Sequence, residues 1–100
     1  KAMLCAVAYF TKKVDLTGFN TLYFDGEAYE KNGDATQIGV WTEFDTAGSD
    51  LNRPAMIEGP LSNGVHTLDI SAVNEECYIG FLVSGANDDK IITVNSVYLK

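Results

Sequence analysis

Short runs of β-branched and aromatic residues alternate along the chain with clusters of Gly, Asn, Asp and Ser. No stretch holds apolar residues at i, i+3, i+4 and i+7, so the periodicity predicts strands and no helix. The candidate strands are Met3 to Thr11, Thr21 to Ala28, Thr36 to Phe44, Pro54 to Glu58, Val65 to Ile70, Cys77 to Ser84 and Ile91 to Leu99. Seven or eight strands at this spacing point to an all-β fold, an antiparallel β-sandwich or barrel. Turn chemistry lies where it is needed: Asp15, Thr17, Gly18 and Asn20; Asn32-Gly33-Asp34; Ala47-Gly48-Ser49-Asp50; Gly59-Pro60; Ser62-Asn63-Gly64. Asn87-Asp88-Asp89 separates the two strongest strands by so little that a hairpin between them is expected.

Alternate side chains of a strand point to opposite faces, so parity predicts the core. Leu22 and Phe24 share a face, as do Ile38 and Val40, Leu68 and Ile70, and Cys77, Ile79, Phe81 and Val83. In the last strand Ile92 and Val94 have one parity while Val97 and Leu99 have the other. A β-bulge near Asn95 and Ser96 would restore the register, because one extra residue flips everything after it.

One hundred residues suffice for one domain, and 46% hydrophobic residues with 11% aromatics exclude a disordered chain despite a net charge of −7. The whole chain, 1–100, is read as one module excised from a longer protein. Fourteen acids against seven bases argue against nucleic acid and anionic membranes as partners, since phosphate binding rests on Lys and Arg. Ala2 to Phe10 is too short for a membrane-spanning helix and is read as a strand. Cys5 and Cys77 are too few for a disulfide framework; they pair only if their strands are neighbours, and are otherwise buried free thiols.

No nucleotide-binding loop, zinc-protease helix or serine-hydrolase elbow is present, and the single histidine, His66, has no nucleophile and carboxylate beside it in the sequence. It is read as a rim or core histidine. Asp25 and Glu27 lie on one strand face, as solvent-facing acids commonly do, and the chain is read as non-catalytic. No cofactor is implied. Calcium is the one metal for which oxygen ligands are at hand, at Asp45, Ser49 and Asp50 or at Asn87, Asp88 and Asp89, neither with a diagnostic spacing. The remaining signal is aromatic. Opposite Ile38 and Val40, parity presents Gln37, Gly39, Trp41 and Glu43, a flat ring beside polar groups and a glycine. An open ring covers the apolar face of a pyranose while amides and carboxylates hydrogen-bond its hydroxyls. Tyr78, Tyr23 and Tyr29 could extend that platform; alternatively Trp41 is covered by a loop or a neighbouring domain.

Four segments, Val14-Asp15-Leu16-Thr17-Gly18-Phe19-Asn20-Thr21-Leu22, Thr67-Leu68-Asp69-Ile70-Ser71, Cys77-Tyr78-Ile79-Gly80-Phe81 and Ile92-Thr93-Val94-Asn95-Ser96-Val97-Tyr98-Leu99, resemble accessory modules of the galactose-binding-like, carbohydrate-binding-module-like kind. Such modules occur in large surface and phage tail or baseplate proteins of Gram-positive bacteria. The resemblance covers nearly the whole chain but rests on core and turn positions, so it carries over no ligand residue. It implies a jelly-roll topology, an extracellular or virion-associated setting, and neighbouring domains of a parent protein as partners. The expectation is a carbohydrate-binding module that takes surface glycan or cell-wall polysaccharide on Trp41, Gln37, Glu43, Tyr78 and Tyr29. The alternative is a structural or assembly module with no ligand of its own.

Overall fold

The computed structural model describes residues 4–9, 12–30, 36–43, 52–85 and 90–100. Eight strands make two antiparallel sheets: β1 (Leu4–Tyr9), β2 (Val14–Asp15), β3 (Thr21–Glu30), β4 (Thr36–Trp41), β5 (Ala55–Gly59), β6 (Leu61–Asp69), β7 (Glu76–Gly85) and β8 (Lys90–Leu99). One sheet runs β1-β7-β4-β5, with β2 also on β7; the other runs β6-β3-β8. β1 pairs with the second half of β7 and β2 with its first two residues, so both lie along one side of that strand.

Parity sorts the core as the sequence predicts. Leu22, Phe24, Ile38, Val40, Leu68, Ile70, Cys77, Ile79 and Phe81 are all buried between the layers, joined by Leu16, Ala28 and Leu61. Phe24 of β3 meets Phe81 of β7 at 5.0 Å between ring centres, tilted by 57°, which ties one sheet to the other. The side chain of Val83 lies outside the described residues.

The bulge is where the pattern requires it. Asp25 pairs with Ser96 but Gly26 pairs with Val94, so Asn95 is the extra residue of β8. Ile92, Val97 and Leu99 consequently all pack against the core, and only Val94, at the bulge itself, turns out to 41% exposure.

The expected hairpin between β7 and β8 is not formed. β7 sits inside the larger sheet between β1 and β4, whereas β8 is an edge of the smaller one against β3. The reason is burial. β7 is covered on both faces, with Ile79 and Phe81 inward and Gly80 and Leu82 buried outward, and so takes a central place; β8 is covered on one face at most. β7 and β8 therefore belong to different layers, and residues 86–89 between them lie outside the described residues. β2 falls in a segment read from its composition as a turn. Two residues are too few to show periodicity, and what holds them is the ladder to β7 extended by Leu16 N–H donating to Glu75 O at 3.1 Å.

The cysteines are separated by the register. Cys5 is opposite Ser84, seven residues along β7 from Cys77. At ~3.3 Å per residue that is over ~20 Å, far beyond the ~7 Å a disulfide tolerates between Cα atoms. Cys77 is a buried free thiol.

Candidate functional site

The outer face of the larger sheet carries Gln37, Gly39 and Trp41 from β4, Tyr78 and Gly80 opposite them on β7, and Met56 and Glu58 on β5. Trp41 does face away from the core, but it is not open to water: 1% of its surface is exposed. Two features seal it. A Cβ on Gly39 would lie 3.1 Å from the far edge of the indole, so the ring folds back along its own strand into the space the glycine leaves. Arg53, from the segment that leads into β5, then lies over the ring, its guanidinium carbon 5.6 Å from the centroid. The same arginine donates to Gln37 Oε1, and Gln37 donates to Glu58 Oε1 at 3.4 Å. Gln37 is thus engaged in a polar chain across β4 and β5.

Glu43 lies beyond the end of β4 and is exposed, its carboxylate paired with Lys13 at 3.2 Å. That ammonium is also 5.5 Å from the ring centre of Tyr78, which is half-buried beside Trp41 in the ladder. The Glu43 carboxylate raises the pKa of Lys13 above its ordinary value, chiefly through the hydrogen bond. Tyr29 is on β3, on the outer face of the other sheet opposite Ile91, and so belongs to the far side of the molecule. Four of the five expected residues are therefore on one face, with the central ring covered, and the fifth is not with them.

The outer face of the smaller sheet shows a different aromatic group. Tyr23 and Tyr98 are cross-strand partners whose rings stack at 4.8 Å and 4°. Lys100 Nζ is 5.4 Å from one centroid and 5.8 Å from the other. Near-equal distances to two parallel rings put the ammonium beside the pair, at its rim, and not above either face. Tyr98 is 40% exposed, with Ser96 and Asp25 as its near neighbours on this face, while Thr67 flanks Tyr23 on the other side of the pair. Asp25 and Glu27 share this face, with Glu27 accepting a hydrogen bond from Thr93 Oγ1 at 3.3 Å. Parity would have found the tyrosine pair once β3 and β8 were known to be partners, but no local pattern announces that long-range pairing.

His66 lies against Phe24 at 5.9 Å, and its Nε2 donates to the carbonyl of Ser62 at 2.6 Å, the rim position expected of it. Among the described residues no three His, Cys, Asp or Glu side chains cluster to hold a metal. The calcium candidates at 45, 49 and 50 and at 87–89 lie outside the described residues. No family model, curated protein or solved structure matches the chain.

Proposed function

We propose that the chain is a non-catalytic structural and assembly module of a larger surface or phage-tail-type protein, outside the cell or on a virion, built as a galactose-binding-like jelly roll. The strand order supports that reading: β6-β3-β8 over β1-β7-β4-β5, with β2 also on β7, pairs strands distant in the chain within two antiparallel sheets, as a jelly roll does. The observation that carries the functional half is the burial of Trp41, because a ring at 1% exposure under Arg53 offers no face to a sugar. On this reading Trp41 serves packing under Arg53, while Gln37 and Glu58 link β4 to β5 by hydrogen bonding.

Isothermal titration with cell-wall polysaccharide tests this. The scaffold reading expects no heat of binding, and a saturable isotherm would end it. A glycan-recognition role keeps one specific support, the partly open Tyr98 stacked on Tyr23 beside Asp25 and Ser96. Were the titration positive, Tyr98→Ala would then have to abolish the signal for that surface to be the site.

A further inference from the structure

Resting on the assembly reading, we infer that β8 is the edge through which two copies of this chain join, antiparallel and related by a two-fold axis. Among the described residues β8 pairs only with β3, so every second main-chain N–H and C=O along it faces away from its sheet. Natural edges are normally blunted by charge, proline or shortness. β5 is five residues long and lies between Pro54 and Pro60, and β6 is broken by a bulge and by Gly64 at φ 150°. β8 is ten residues long, and from Ile91 to Leu99 it holds no charge, proline or glycine.

The bulge decides what can pair with it. Because Asn95 is extra, Ile92 and Val97 share the inward face, while Thr93, Ser96 and Tyr98 share the outward one. A strand docked there must match face to face. A second β8 does so when Ile92 is opposite Val97 of the other copy. The same register sets Ile91 against Tyr98 and Thr93 against Ser96, apolar on apolar and hydroxyl on hydroxyl. It also sets Lys90 against Leu99, so the two lysines that flank the strand never face each other. Of the three large apolar side chains exposed among the described residues, Val94 and Tyr98 lie on this strand. The pairing would run a continuous sheet β6-β3-β8 through both copies, an isologous contact.

Sedimentation equilibrium of the chain at physiological salt, up to about 1 mM, reads the association directly. A dimer is expected. T93K/S96K places lysine against lysine twice across the axis and should weaken association at least tenfold; T93E/S96K places opposite charges there and should retain it. Both variants alter exposed side chains, and matching circular dichroism checks that they fold. Amide exchange in β8 that slows as the wild-type concentration rises gives a readout without mutation. A wild type that stays monomeric, or a dimer indifferent to both variants, overturns the pairing. Polysaccharide binding is scored apart: a monomer that binds no glycan removes this pairing and leaves the scaffold reading standing, whereas a dimer that binds glycan does the reverse.

Discussion

Trp41 shows how the side chain opposite a core can itself be interior. Its strand parity is legible in the sequence, with Ile38 and Val40 on one face and Trp41 on the other. What covers it is not, because Arg53 arrives from twelve residues downstream and Gly39 matters only once the indole folds over it. Trp41→Ala should therefore act on stability, costing roughly 3–5 kcal/mol in urea unfolding as large buried aromatics do. A loss under ~1 kcal/mol would mean that the ring contributes little packing. Cys77 gives a second residue-level expectation. Burial, reinforced by the Glu75 carboxylate, pushes its thiol up to about 11. The thiolate is the reactive form, so in a Cys5→Ser background Cys77 should resist a disulfide reagent at pH 8 until the protein is unfolded. Rapid native labelling would contradict that burial.

At the scale of elements, two turns are made the same way. Asp15 accepts the main-chain N–H of Thr17 at 3.0 Å, and Asp69 accepts that of Ser71 at 2.9 Å, with the Ser71 hydroxyl added at 2.7 Å. The first closes through Gly18 at φ 82° and the second through Asn74 at φ 48°, both left-handed positions that Gly and Asn tolerate. These bonds favour the charged carboxylate, so each folded pKa lies below its ordinary 3.8. The folded state thus binds these protons less readily than the unfolded chain does. Their stabilisation is present above 3.8 and is lost as pH falls through the lower folded values. Asp69→Asn should flatten the acid limb of stability measured between about pH 5 and pH 2, and an unchanged slope would show that the turn does not feel the charge. The Asp15 turn was readable because its signal is local, and the bulge at Asn95 because it is a parity break within one strand. The partner of β8 was not readable. Proximity in sequence suggested β7, while the choice of β3 depends on both edges of β7 being taken, by β1 and β2 on one side and β4 on the other.

The whole molecule is made almost entirely of pairings between distant segments: β1 with β7, β3 with β6 and β8, β4 with β7. Among the described residues only β4 and β5 are both successive and paired. Loop-closure entropy must be met before such contacts stabilise anything, so refolding in stopped-flow fluorescence of Trp41 should take on the order of milliseconds to seconds. A microsecond phase carrying the full amplitude would contradict it. The all-β class was legible from strand spacing, which left sandwich and barrel open, whereas this order of strands needs every long-range partner at once.

Between β5 and β6 stands a single residue, Pro60, which carries the chain from one sheet to the other with a fixed φ and no N–H to spare. β5 and β6 are edges on the same side of their sheets, and β1 and β8 are the edges on the opposite side. The molecule is thus bound like a book, with its spine at Pro60. Among the described residues no link as short as Pro60 joins the layers along β8 and β1, so breathing of the two layers is expected to open at that fore-edge.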